Sequence, residues 1–332
     1  MGREIAISVV EGDVIDFDAD VLALKYAQEL YGADRAVYDR LKSVYPLPRL
    51  PELSGFTFDD TRGSISPRHV LFVGVRPLRS FGYAEIREFS HKALASLAGE
   101  APSVRHVALT IHGPGYGLDE VEAFESELAG VVDAATSGDI PAALTTVSFV
   151  EKNQARARRL SASLRKVIPN GVLMLDGRGA LSAMESEARS TLRNAGYSAG
   201  DKPHVFVAMP FAEAMDDVFH YGIQGAVNTA GFLCERADLS TFTGDVISWV
   251  KLRISSASLV VADLTSANPN VYLEVGYAWG CKVPTVLLAK DANDLKFDVK
   301  GQRCIVYKSI QHLEDTLRNE LRGLVRSDPS SV

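Results

Sequence analysis

The chain reads as two successive α/β domains, and three features support this. Apolar runs of strand length recur between amphipathic segments of helix length along nearly the whole sequence. Those apolar runs are continuous rather than alternating, which suits parallel strands covered on both faces. Residues 196–203, rich in glycine, serine, aspartate and proline, separate a helical pattern from a fresh strand. With 332 residues, 46% of them apolar and 23% charged, the chain can bury two cores and has a globular composition.

The first domain is assigned to residues 1–178. "EIAISVVEGDVI" and "ADVLALKY" are its opening strands. Helical periodicity covers Ala33–Val44, and "YPLPRLPEL" is a proline-punctuated loop. The strand "HVLFVGV", a helix over Tyr83–Leu97 and the strand "HVALTIHG" follow. A helix over Leu118–Ala135 and the strand "LTTVSFVE" complete five strands. The basic run "KNQARARRLSASLRKV" predicts a helix and "GVLMLD" a short strand, while residues 179–202 hold a further helix and linker.

The second domain is assigned to residues 203–328. "HVFVAM" is a strand, and Met209-Pro210-Phe211 turns into an amphipathic stretch ending near Gly231. "FLCERAD" is the next strand, followed by a helix from about Gly244 to Ser256. "SLVVAD" is the third strand, and Asn268-Pro269 opens a helix running to Gly280, with Asn as N-cap and Pro in the first helical position. "VPTVLLA" and "CIVYK" are two more strands, and "SIQHLEDTLRNELRGLV" is a closing amphipathic helix. Alternating strands and helices predict parallel pairing with right-handed crossovers, here a five-stranded flavodoxin-like sheet.

Composition narrows the function classes. A net charge of -7 argues against a broad nucleic-acid footprint. Cys234, Cys281 and Cys304 lack metal-ligand spacing and read as reduced packing residues, so neither metal nor cofactor is expected. No apolar run is long enough for a bilayer, and the first residues lack a signal-peptide pattern, which predicts a cytoplasmic protein without membrane contact.

The segment "SLVVADLTSANPNVYLEVGYAWG" concentrates the chemistry. Ligands of open parallel sheets collect outside the carboxyl ends of the strands. Asp263 occupies that end of the third strand, and Glu274 lies in the second turn of the next helix, four residues beyond Asn270. Together they form one candidate pocket edge, with Met209, Pro210 and Phe211 supplying backbone donors and an aromatic wall. Arg236 and Asp245 complete the candidate substrate contacts. The structural alternative has Asp263 capping its turn and Glu274 paired with Arg236 or Arg253.

The order of "VFVAMPF", "CERAD", "ADLTSANPNVYLEVGYA" and "VPTVLLA" resembles the nucleoside 2-deoxyribosyltransferase-like superfamily, in the branch grouped with TIR-like domains. The resemblance implies an N-glycosidic chemistry in which Glu274 attacks or stabilises the anomeric carbon and Asp263 helps hold the sugar. It also implies NAD or a nucleotide as substrate, action as a homo-oligomer, and a bacterial defence or stress role. Asparagines Asn268 and Asn270 stand where the deoxyribosyltransferases proper carry another acid, which weakens base exchange as the reaction.

In the first domain, an early Gly-Asp pair, an "AD" before a strand and the glycine-rich "HGPGYG" feeding a helix resemble a macro domain. Gly113, Gly115 and Gly117 would bring backbone amides to a phosphate at a helix N-terminus. The asparagine-rich sugar-contacting segment of that family is replaced by "LALKYAQ", so the resemblance implies nucleotide sensing rather than ADP-ribose hydrolysis. The alternative for the whole chain is a non-catalytic nucleotide-binding module that drives assembly.

Overall fold

A computed structural model describes residues 3–175, 185–200, 202–236, 246–296, 299 and 301–327. It divides into two compact units: Met1–Pro114 with Glu120–Ala199, and Gly115–Asp119 with Gly200–Val332. Each carries its own sheet, so the α/β class read from the sequence holds for both.

The first unit has a seven-stranded sheet in the order β3-β4-β2-β5-β6-β1-β7. Its strands are β1 (Arg3–Glu11), β2 (Val21–Tyr26), β3 (Phe56–Asp60), β4 (His69–Gly74), β5 (His106–Thr110), β6 (Thr146–Glu151) and β7 (Val172–Leu175). The inner pairings are parallel, while the edge strands β3 and β7 run antiparallel to β4 and β1. Val21, Leu22, Ala23 and Leu24 of β2 are fully buried, as continuous apolar composition requires of a strand covered on both faces. The helices are α1 (Gly32–Leu41), α2 (Tyr83–Glu100), α3 (Glu120–Ser137), α4 (Gln154–Val167) and α5 (Ser186–Asn194). The basic α4 is capped by Asn153, whose side chain accepts from the Arg156 amide at 2.8 Å. β3 is the strand the periodicity did not announce. β1 ends before "GDVI" because the Asp13 carboxylate accepts from the Ile15 amide at 3.1 Å and closes a turn.

The second unit is built on an all-parallel five-stranded sheet in the order β12-β11-β10-β8-β9. Its strands are β8 (His204–Ala208), β9 (Leu233–Glu235), β10 (Leu259–Asp263), β11 (Thr285–Ala289) and β12 (Cys304–Val306). Counted along the chain this is the flavodoxin-like order 2-1-3-4-5, with the switch point between β8 and β10. Helices α6 (Gly225–Thr229), α7 (Val246–Ser256), α8 (Pro269–Gly280) and α9 (Ile310–Ser327) cover it. Two cores result. Val205, Val207, Met209, Phe219 and Ile223 pack with Leu313 and Leu317 on one face. Phe206, Ala208, Trp249, Val250, Val271 and Val275 pack on the other. The amphipathic stretch after β8 is a short turn at Glu213–Met215, a π-helical segment at Val218–Gln224, and then α6. Among the described residues, no helix is long and apolar enough to cross a membrane.

Candidate functional site

The switch point of the second sheet positions the residues singled out from the sequence. Chains leaving adjacent strands there turn to opposite faces, which opens a crevice at the carboxyl edge. Met209 and Pro210 follow β8 and are buried, with Phe211 beyond them 48% exposed. Asp263 ends β10 and is fully buried. Its Oδ1 accepts from the Thr265 amide at 2.9 Å, and its Oδ2 accepts from the Tyr307 hydroxyl at 2.8 Å. Both carboxylate oxygens are thus engaged in bracing the strand end. Burial, then the neighbouring Asp263 charge, pushes the Tyr307 hydroxyl above its usual range.

From Asp263 the chain passes through Ser266 and Ala267, both in the left-handed region with φ of 63° and 49°. Two successive non-glycine residues there store backbone strain of the kind that gathers at functional sites. Asp294 restrains the bend by accepting from the Ser266 amide at 3.1 Å. Asn268 then caps α8, its side chain accepting from the Asn270 amide at 2.9 Å, with Pro269 in the first turn. Asn270 itself is exposed.

Glu274 lies on the side of α8 that carries Val271 and Ala278, both buried. It is half-buried, and among the described residues it has no hydrogen-bond or ion-pair partner. Burial alone pushes its carboxyl up to about 7. The two arginines that might have compensated it are engaged elsewhere. Arg253 donates from Nε to Glu235 at 2.8 Å, and Glu235 is fully buried. Arg236 follows β9, with Nη2 3.6 Å from Asp216 Oδ1. Its guanidinium carbon stands 4.1 Å over the Phe219 ring centroid and 5.4 Å over that of Phe211.

Tyr307, Phe219 and Asp216 were not anticipated. Tyr307 alone carried a signal, as a tyrosine at the carboxyl end of the last predicted strand. Asp245 lies outside the described residues. Trp249 is buried and Trp279 is 38% exposed. No group of three or more histidine, cysteine, aspartate or glutamate side chains suited to a metal occurs among the described residues.

Of the glycine-rich turn, Gly113 is buried in the first unit, while Gly115 and Gly117 group with the second. Gly113 and Gly117 have positive φ, 110° and 96°, which their residue type accommodates. Within the second unit, a Cβ on Gly117 would meet Cη2 of Trp249 at 2.4 Å, so an indole occupies the space beside that glycine.

The first unit has a buried polar group of its own at the carboxyl ends of the neighbouring strands β2 and β5. Lys25 Nζ lies 2.6 Å from Asp34 Oδ2. The His112 amide donates to Glu127 Oε2 at 3.2 Å, and among the described residues nothing hydrogen-bonds the buried Glu127 Oε1. The His112 ring meets Phe89 edge-on with centroids 4.7 Å apart. Burial holds the His112 imidazole well below its ordinary range and the Glu127 carboxyl well above.

No protein-family profile matches the chain, and no curated protein matches it. Among solved structures, a point mutant of the Oceanobacillus iheyensis macrodomain gives a TM-score of 0.39 at 13% identity, covering 51% of this chain and 97% of that one. The same macrodomain with ADP gives 0.35 at 11% identity, covering 51% and 98%. A Trypanosoma brucei macrodomain in complex with ADP-ribose gives 0.35 at 15% identity, covering 48% and 69%. Likenesses this distant assign neither a ligand nor an activity to the chain.

Proposed function

We propose that the second unit cleaves an N-ribosyl bond of NAD or a nucleotide, with Glu274 as the group that meets the anomeric carbon. The observation that carries this reading is the Glu274 carboxyl itself: half-buried, without a partner among the described residues, and pushed up to about 7 by burial. An uncompensated carboxyl near the ligand edge of a parallel sheet is poised to receive positive charge. Breaking an N-ribosyl bond develops such charge on the sugar, and a carboxylate beside it stabilises the charge or captures the carbon as a ribosyl ester.

A substrate whose base is already cationic, as nicotinamide is in NAD, attracts the ionised form of Glu274 and draws its proton affinity down. That base also leaves without prior protonation. In this proposal Asp263 is a positioning residue, holding the bend that carries α8. The first unit serves as a nucleotide sensor that governs the second.

The test is base release. The full chain is incubated with NAD, nucleotides and nucleosides, and the free base is followed by chromatography. Glu274→Gln abolishes release if the reading is right. Equal release by wild type and variant overturns it. Nucleotide binding with no release from any substrate would instead support the non-catalytic binding module.

A further inference from the structure

The structure assigns Tyr272 and Asp294 as positioning residues for Glu274: together they tie the loop after β11 to α8 and set which way that helix turns its carboxyl. The catalytic consequence rests on the N-ribosyl reading proposed above. The placement of the carboxyl does not.

The bend that leads into α8 is costly to hold. Ser266 and Ala267 are the only two adjacent non-glycine residues with positive φ among the described residues. Non-glycine residues enter that region singly and at a cost, so a pair of them persists only where the surroundings over-determine the path. Residues 290–296 supply that restraint. The Lys290 amide donates to the Thr265 hydroxyl at 3.1 Å, and Asp294 Oδ2 accepts from the Ser266 amide at 3.1 Å. The Tyr272 hydroxyl donates to the Asp294 carbonyl oxygen at 3.1 Å and accepts from the Lys296 amide at 3.0 Å. Asp294 thus holds the bend with its side chain and the helix with its main chain.

The loop is itself anchored. Asp294 closes a single helical turn, Ala292–Asp294, which Asp291 caps by accepting from the Asn293 amide at 2.8 Å. Leu295 packs against the core cluster that contains Val271 and Val275 of α8. Tyr272 stands two residues before Glu274, and at about 100° per residue the two lie about 200° apart around the helix. The loop therefore grips α8 from the side away from the carboxyl. The apolar contacts of Val271, Val275 and Ala278 are non-directional and leave the helix room to roll. Two hydrogen bonds on one phenol oxygen are directional and remove that freedom. An outward roll would carry the half-buried Glu274 into water.

The experiment uses the full chain with its glutamate side-chain carboxyl carbons labelled. Carbon NMR follows Glu274 through a pH titration, its resonance being the one lost in Glu274→Gln, and melts establish that each variant is folded. Wild type is expected to titrate at about 7. In Tyr272→Phe and in Asp294→Ala the midpoint falls toward 4.5, by about one pH unit or more, as the carboxyl gains water. Asp294→Asn keeps an acceptor for the Ser266 amide and retains the wild-type midpoint. With NAD as substrate, the two damaging variants lose about tenfold or more in kcat with KM little changed, because misplacing a reacting group costs the transition state most. Loss of a merely structural brace would lower the melting temperature and leave the midpoint in place. That outcome in either folded variant overturns the inference, as does a wild-type midpoint already near 4.5. Should one variant fail to fold, the other decides. A lowered midpoint in a chain that releases no base keeps the positioning role and sinks the N-ribosyl reading, whereas base release with an unmoved midpoint does the reverse.

Discussion

The Tyr307 hydroxyl donates to Asp263 Oδ2 at 2.8 Å, joining the end of β10 to the residue that follows β12. With the Thr265 amide on the other oxygen, this bond lets a fully buried carboxylate sit at the mouth of a sheet without facing water. Tyr307→Phe strands one buried acceptor at little cost in volume. The expected loss is about 1–3 kcal/mol of unfolding free energy, read by urea denaturation. No change would mean that the oxygen finds another donor.

Glu274 gives a pH-dependent prediction. Its carboxyl is raised from 4.5 to about 7 in the folded chain, so the folded state holds that proton more tightly than the unfolded state. The burden is absent below the unfolded value, grows as pH rises, and is complete above the folded value. Glu274→Gln removes it. The variant therefore gains on wild type by roughly 2–3 kcal/mol between pH 5 and pH 8, as melts at both pH values would show. A constant difference across that window would mean the carboxyl is not destabilised by burial.

α2 and α3 meet at a glycine. A Cβ on Gly130 would lie 2.1 Å from both the Arg87 carbonyl oxygen and the Ser90 hydroxyl. The backbone oxygen cannot swing aside as a side chain can. Gly130→Ala is expected to cost about 1–3 kcal/mol by forcing the helices apart, measured as a lowered denaturation midpoint.

The Lys25–Asp34 pair is a fourth stability test. Both side chains are nearly inaccessible, at 6% and 2%, and burial raises the Asp34 carboxyl against the pull of Lys25. Lys25→Met leaves a buried carboxyl without its cation and is expected to cost about 3–5 kcal/mol, whereas Lys25→Met with Asp34→Leu recovers most of that loss. Denaturation of the two single variants and the double variant closes the cycle.

Much of the second sheet was legible because its strands are buried on both faces and therefore written as unbroken apolar runs. "SLVVAD" and "VPTVLLA" could hardly serve as anything but interior strands. β3 was missed for the opposite reason: Phe56–Asp60 is an edge strand, short and partly exposed, with two aspartates at its end. The cap of α8 was readable from Asn268-Pro269 because capping is local chemistry. The Tyr307–Asp263 bond was not, since it joins residues 44 positions apart and depends on strand order. Nor did residue types reveal which acid Arg253 would meet, because Glu235 and Glu274 are equally plausible partners until the sheet register decides.

Both borders of the second sheet are stubs: β9 and β12 each span three residues. A border that brief offers an incoming chain only a few unpaired amides and carbonyls, too few to nucleate runaway strand addition. The parallel interior, whose strands are continuous buried apolar runs, is thereby fenced at both sides.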